Sequence, residues 1–495
     1  MTSTEKPRIP EDSPTRADDG VEEGSLVDYE LSPGEDKAIL RKIDKCLLFV
    51  MALSYFFQFL DKTALGSTAI MGLNEDLDLT GSEYSWSNSI YYFGYLIASY
   101  PAALMMVRWK VGKTISASIV VWGAVLMLTA TAFNGNGLLA TRFFLGVTES
   151  AIAPGLTVVV SMFYKRSEQP LRHAAWFLGN TCAGIFGGLI QYGIGHIQTI
   201  ASWKAVFLIL GAATVAWGIA AFFLLPDTPS TTWFLNKSER SKAVIRVKEN
   251  LTGIKNDEFK WSQFTEAMLD IKTWLLFSIN LAANIPNGAV TSFNSIVIKG
   301  FGFDTFDTLL LSCVPYILQL FLVLSSTIGS TYLRNTRTLW MVWHFCVSLA
   351  GAALVRQLPE ENKWGRFAGA CLSLGYSGNF PLIMSLVSGN FGGFTKKTTV
   401  NALTFIAYCT GNIIGPQLFF ERENPGYKSG FLAIMVCLGL GIVLTLVFRL
   451  YLTWVNQTRD RTAAVETNVV VDSAGNMVNL MDKTDKEIEQ FRYVY

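Results

Sequence analysis

Residues 46–70 read CLLFVMALSYFFQFLDKTALGSTAI, and the fold turns on that stretch. A helix needs about 20 apolar residues to cross a bilayer. This run is long enough, and one adjacent pair of charges, Asp61 and Lys62, interrupts it. Asp61 lies about fifteen residues in, so roughly 22 Å deep at 1.5 Å per residue. The apolar pattern resumes with Ala64, Leu65, Ala69, Ile70 and Met71, which places both charges inside the membrane. The other reading ends the helix at Leu60 and leaves the pair among the outer headgroups.

The rest of the chain repeats the theme. Of 495 residues, 51% are hydrophobic and 16% charged, against about 25% charged in a soluble domain. Charges collect at the two ends, in the middle and in short clusters between long apolar runs, the pattern of a chain solvated by lipid. Further candidate spans lie near 84–107, 114–133, 138–163, 173–197 and 203–225. Six more lie near 273–298, 307–332, 338–356, 365–390, 398–420 and 428–453. The plan is an all-α membrane protein with twelve transmembrane helices in two six-helix halves. A tail over 1–40 precedes one bundle over 41–225, a central loop over 226–272, a second bundle over 273–455 and a tail over 456–495.

The first stretch carries Glu11, Asp12, Asp18, Asp19, Glu22 and Glu23. It lacks a basic region followed by an apolar core, so it is no signal peptide, and it reads as a disordered cytosolic tail. Orientation follows from Lys and Arg, which favour the cytosolic side. Arg108, Lys110 and Lys113 follow the second helix, Lys165, Arg166 and Arg172 follow the fourth, and the central loop holds Lys237, Arg240, Lys242, Arg246 and Lys248. The stretches Asn74 to Glu83 and Asn134 to Gly137 have neither residue type. Both termini are therefore expected in the cytosol. Arg356, Lys363 and Arg366 break the pattern on the outer side, mixed with Glu360 and Glu361. The sequons at Asn236, Asn250 and Asn456 fall on the cytosolic side and are expected to stay unmodified. In the central loop, Ala243, Val244, Ile245, Val247 and Leu251 suggest one or two amphipathic helices on the membrane surface; a solvated linker is the other reading.

Ionisable groups at mid-helix in lipid cost about 2.5–3.5 kcal/mol each on insertion scales, and persist where they face water or a partner. Besides Asp61 and Lys62, Arg142-Phe143-Phe144-Leu145-Gly146-Val147-Thr148-Glu149 holds two. Seven residues are about two turns, so Arg142 and Glu149 share one helix face about 10.5 Å apart. A mid-membrane carboxyl that is neutral or charged according to a nearby cation is suited to carrying a proton. A helix-bridging hydrogen bond is the plainer role for Glu149, and snorkelling to the surface the plainer one for Arg142.

A third group comprises amides and helix breakers. Asn280, Asn284, Pro286 and Asn287 lie in the seventh helix, Tyr376, Asn379 and Pro381 in the tenth, and Asn412, Gly415, Pro416 and Gln417 in the eleventh. Freed backbone groups must be re-satisfied in lipid, so these helices face the bundle interior, where each amide either binds substrate or bridges helices. Gly179-Asn180 in the fifth helix echoes Gly411-Asn412 in the eleventh, and Arg142-Phe143 echoes Arg366-Phe367. Two related halves around a cleft is a transporter architecture. Gly179, Gly184, Gly187 and Gly188 favour close helix crossing over substrate contact.

Other classes are excluded by what is missing. No phosphate-binding loop is present, His173, His196 and His344 lack metal spacing, and the seven scattered cysteines form no framework. The net charge of +1 gives no basic field for nucleic acid. The driving force would have to be an ion gradient, with no cofactor.

Across about 40–455 the chain resembles the major facilitator superfamily, and within it the fungal allantoate permease branch of the anion:cation symporters. Four stretches carry the resemblance: Phe59-Leu60-Asp61-Lys62-Thr63, Arg142 to Glu149 as quoted above, Leu225-Pro226-Asp227-Thr228-Pro229 and Asn412-Ile413-Ile414-Gly415-Pro416-Gln417. It implies proton handling by Asp61 and Glu149. It implies a substrate carboxylate near Lys62, where similar proteins carry Arg, so the charge stays and the bidentate fork is lost. Tyr95 and Asn412 match substrate-site positions of such proteins. Arg142, Asn180 and Tyr376 complete the candidate substrate contacts. One departure is the loop after the second helix, where Ala102 to Arg108 lacks the usual Asp. The expected function is proton-coupled uptake of a small organic anion, such as allantoate, nicotinate or pantothenate, by a monomer in the plasma membrane. Proton-coupled efflux of a metabolite or drug, and a non-transporting nutrient receptor, are the alternatives.

Overall fold

The computed structural model describes residues 32–165, 168–197, 199–251, 259–333, 335–465 and 483–495. Most of the expected first tail, and the central part of the last one, lie outside these residues. Twelve long helical stretches run through the described residues, and no strand occurs among them. In the first half they are α1 (Pro33–Asp76), α2 (Glu83–Arg108), α3 (Val111–Thr129), α4 (Gly135–Phe163), α5 (Gln169–Gly195) and α6 (Ser202–Leu224). In the second half they are α7 (Ile271–Gly300), α8 (Thr305–Tyr332), α9 (Arg337–Gln357), α10 (Lys363–Asn390), α11 (Phe394–Gln417) and α12 (Lys428–Val465). The side holding Ser32, the α6–α7 connection and residues 483–495 is termed proximal here; the other side is distal.

Eight of the stretches are apolar and long enough to cross a membrane by composition alone; α2, α5, α7 and α11 are not among them. These four carry buried polar residues such as Ser87, Gln191, Asn284 and Asn412. A helix turned toward a polar cleft trades apolar residues for site residues, which lowers its apparent fitness for lipid.

α1 starts eight residues ahead of the expected bundle boundary. Ser32 and Glu35 form a capping box, Pro33 occupies the first turn, and Glu35 and Asp36 complement the helix N-terminus. The helix continues without ending at Leu60: Phe49–Thr68 is one α-helical segment, and Asp61 within it is fully buried. Near its distal end a π-helical turn spans Ala69–Leu73, where Gly72 adopts φ +99°, a conformation that favours glycine. α4 is broken at Ser150–Ala151. Pro154 has no N–H for the Ser150 carbonyl, which accounts for the break, and Glu149 ends the first segment. α10 is likewise interrupted, by a 3-10 turn over Leu374–Gly378 that contains Tyr376.

Close crossings set the frame. A side chain at Gly146 would collide with the Tyr91 carbonyl, so α4 lies backbone to backbone on α2; Gly411 and Gly415 meet α7 at Asn284 and Ile285 in the same way. Arg356, Lys363 and Arg366, the basic residues that disturbed the charge pattern, are engaged by protein. Arg366 is buried over the Phe301 ring, Arg356 donates to the Lys428 carbonyl, and Lys363 lies over Phe303.

The connection between the halves contains a helix over Lys237–Leu251 and another over Trp261–Leu269. The first docks onto the proximal face of the first half instead of lying free on lipid. Ala243 and Val247 are buried, and the buried Arg246 guanidinium binds Asp36 at 2.8 Å and also Glu168. After α2, where the usual Asp is missing, the Lys113 backbone N–H donates to Asp227 from the segment after α6, at 3.2 Å.

Candidate functional site

Two small adjoining spaces lie between the halves. Lys62, Tyr91 and Tyr92 line both. The more distal space adds Ser87, Asn88, Arg142, Thr291 and Ser292, and the more proximal one adds Tyr55, Gln58, Tyr95, Asn180 and Tyr408. Both halves contribute, so the site exists only because they close on each other.

The cations come from α1 and α4. Lys62 Nζ stands 4.9 Å from the centre of the Tyr92 ring, a cation–π distance. Arg142 is buried, its guanidinium 5.3 Å from the Phe207 ring centre, and its Nε and Nη2 have no hydrogen-bond partner. No carboxylate lies within 4 Å of either cation among the described residues. A buried cation without a counter-ion is expensive, so an anionic ligand in this space would meet two groups that gain from it.

Glu149 sits one layer behind the cavity wall. Its Oε2 accepts from the Tyr91 hydroxyl at 2.6 Å and from Gln58 Nε2 at 2.9 Å, while Oε1 has no partner. Tyr91 and Gln58 both line the cavity, so the carboxyl is one hydrogen bond from it. Asp61 faces away, into the first half. Its Oδ2 accepts from Trp122 of α3 and Thr214 of α6, each at 2.8 Å, and Oδ1 has no partner.

Of the substrate contacts expected from sequence, Lys62, Arg142, Tyr95 and Asn180 line the cavity. Asn180 Oδ1 is buried without a partner. Tyr376 and Asn412 are placed differently. Asn412 accepts from Asn287 at 2.8 Å, donates to the Tyr408 carbonyl at 2.8 Å and lies 3.4 Å from Asn284 Oδ1. The Tyr376 hydroxyl reaches Asn287 at 3.4 Å, and Asn280 donates to the Thr404 carbonyl at 2.7 Å. These amides form a ladder between α7, α10 and α11.

Sequence reading did not single out Gln58, Tyr91, Tyr92 and Tyr408, or Trp122 and Thr214 behind Asp61. A signal existed: Tyr84, Tyr91, Tyr92 and Tyr95 recur at spacings that share one helix face.

The distal end is shut. Lys299 donates to the Ile70 carbonyl at 3.0 Å, Tyr84 to the Ser292 carbonyl at 2.7 Å, and Ser89 to the Ile413 carbonyl at 2.7 Å. His196 and Phe306 pack with ring centres 4.4 Å apart. On the proximal side of the cavity the halves meet through rings: Phe177 stacks on Phe380 at 5.2 Å, and Tyr95 lies 5.6 Å from Phe405.

The profile of the Major Facilitator Superfamily matches residues 51–416. An uncharacterized transporter of Schizosaccharomyces pombe is 34% identical over 467 residues, covering 94% of this chain and 89% of that protein. The allantoate permease of Saccharomyces cerevisiae is 33% identical over 481 residues, covering 94% and 88%. A high affinity cysteine transporter of the same yeast is 27% identical over 499 residues, covering 96% and 94%. Among solved structures, a bacterial homologue of the human lysosomal transporter Spinster, in an inward-facing and unoccupied conformation, aligns with a TM-score of 0.59 at 14% identity, covering 84% of this chain and 97% of that one. With twelve helices in two halves around a closed-ended cavity, and relatives of this kind along nearly its whole length, the chain belongs to the major facilitator superfamily.

Proposed function

We propose that the protein takes up a small carboxylate-bearing nutrient together with protons, by alternating access of its two halves. The observation that carries this reading is the pair Lys62 and Arg142, two cations lining one cavity with no carboxylate within 4 Å among the described residues, and the Glu149 carboxyl one hydrogen bond away through Tyr91. A substrate carboxylate brings one negative charge to these cations, and a proton on Glu149 offsets it, so loading leaves the net charge of the low-dielectric interior unchanged. The proximal face, rich in Lys and Arg, is the cytosolic one, so the described conformation is closed to the outside and both termini are cytosolic, in the plasma membrane. The site is complete within one chain, so a monomer suffices.

One of the relatives supports an anion: the allantoate permease, 33% identical to this chain. The test is counterflow and pH-jump uptake in vesicles holding the purified protein, with labelled allantoate, nicotinate and pantothenate. Accumulation that follows an imposed inward proton gradient and collapses with a protonophore is expected. Counterflow without any response to the gradient would leave a facilitator and remove the proton from the mechanism.

A further inference from the structure

The chain that follows α6 and the chain that follows α12 finish in equivalent places, each with one buried charge. After α6, Arg246 inserts beside Asp36 at the start of α1 and Glu168 just before α5. After α12, the fully buried Asp485 inserts beside Lys272 at the start of α7 and Lys396 in the first turn of α11. The inserted charge is cationic in one half and anionic in the other: Arg246 meets two carboxylates, and Asp485 meets two ammonium groups that Asp270 and Glu266 also contact.

Asp485 is satisfied on both oxygens. Oδ1 accepts from Lys396 Nζ at 2.7 Å and from the Gly392 N–H at 3.1 Å; Oδ2 accepts from Lys272 and from the Tyr493 hydroxyl at 2.7 Å. Burial alone would raise the pKa of this carboxyl, but the two ammonium groups hold it down to about 2, so it stays charged. The segment behind it is pinned by paired amides. Asn390 of α10 and Val494 exchange two hydrogen bonds, at 2.8 and 2.7 Å. Asn456 of α12 and Tyr493 do the same, at 2.8 and 2.9 Å. Arg459 donates to the Asp485 and Phe491 carbonyls at 3.1 and 2.8 Å.

We propose that residues 483–495 form an intramolecular latch, whose Asp485 carboxylate docks between Lys272 and Lys396 and ties the proximal ends of α7, α10, α11 and α12 together. Asp485 supplies the buried charged contact: without its carboxylate, Lys272 and Lys396 keep Asp270 and Glu266, and the strap is left to the asparagine pairs and Arg459.

The experiment is hydrogen–deuterium exchange on the full chain in lipid nanodiscs, reading a peptide that contains the Tyr493 and Val494 amides. In the wild-type chain, exchange at least about 100-fold slower than in a free peptide is expected, because both N–H groups donate to asparagine side chains, that of Asn390 buried. Asp485→Asn should cut that protection by about tenfold or more, since a buried charge-assisted contact is lost. Arg492→Ala, which removes an exposed pair with Asp460 and exposed bonds to the Glu489 and Phe491 carbonyls, should leave it unchanged. Rapid exchange in the wild type, full protection in Asp485→Asn, or equal loss in both variants would each overturn the latch.

Discussion

The Tyr91 hydroxyl donates to Glu149 Oε2 at 2.6 Å, which couples a residue on the cavity wall to the carboxyl behind it. A hydrogen bond to a charged group contributes about 1.5–3 kcal/mol. Tyr91→Phe keeps the ring and removes the donor, leaving ionised Glu149 with Gln58 alone. Proton release into the cytosol should slow, and net uptake should fall about tenfold or more, since about 1.4 kcal/mol is a factor of ten. Substrate binding at acidic pH should stay within about twofold, because the protonated carboxyl needs the bond less. Equal losses in binding and uptake would make Tyr91 a substrate contact instead of a link to the proton.

Lys62 offers a test of the anion. It projects from α1 over the Tyr92 ring, with no carboxylate within 4 Å among the described residues. Lys62→Ala should weaken binding by about tenfold or more, the loss of one charge-assisted contact. Lys62→Arg should be tolerated, or bind more tightly through a bidentate fork. Isothermal titration of the two variants decides it, and unchanged affinity in both places Lys62 outside the site.

Asp61 allows a cleaner substitution than its burial suggests. Both of its hydrogen bonds, from Trp122 and Thr214, go to one oxygen. The amide oxygen of Asp61→Asn can accept both, so the contacts between α1, α3 and α6 survive. Proton-driven accumulation should be lost, while substrate exchange, which needs no net proton release, should persist. Full accumulation against a gradient would confine Asp61 to holding the first half together.

The sequence reveals the fold because lipid leaves a coarse signature: long apolar runs, and basic residues on one side. It reveals Asp61, Lys62, Arg142 and Glu149 for the same reason, since a charge inside lipid stands out against its surroundings. The tyrosines do not stand out, because aromatic residues are common throughout a membrane protein and only the crossing of α1, α2 and α11 gathers Tyr91, Tyr92 and Tyr408. Asn412 and Tyr376 were ambiguous on chemical grounds, as an amide or a phenol can bridge helices or bind a ligand equally well; in this conformation their partners are other protein groups. The first turns of α1 escaped a search for apolar runs because they are polar and capped. The Asp485 latch escaped it entirely, since nothing about one Asp among Lys483, Lys486 and Glu487 announces partners 213 and 89 residues away.

Glu149→Gln is the most direct test of the proposed cycle. Glu149 ends the first segment of α4, at the break that Pro154 imposes, with one oxygen bound by Tyr91 and Gln58 and the other without a partner. In that proposed cycle the carboxyl, open to the acidic outside, would take a proton as the anion settles beside Lys62 and Arg142. Open to the cytosol, it would give the proton up, and the new negative charge behind the cavity wall would repel the substrate. Gln holds the neutral form permanently, and its side-chain oxygen can still accept from Tyr91, so the architecture should survive. Substrate should therefore bind with wild-type affinity at acidic pH. Its affinity should no longer fall as the pH is raised, and net uptake should drop to near background while the protein remains folded. The comparison needs binding and uptake measured on the same preparation across pH 5 to 8, a range of about three decades in proton activity. Wild-type uptake with wild-type pH dependence would reduce Glu149 to a bridge between α1, α2 and α4, and would leave the proton to travel through Asp61 alone.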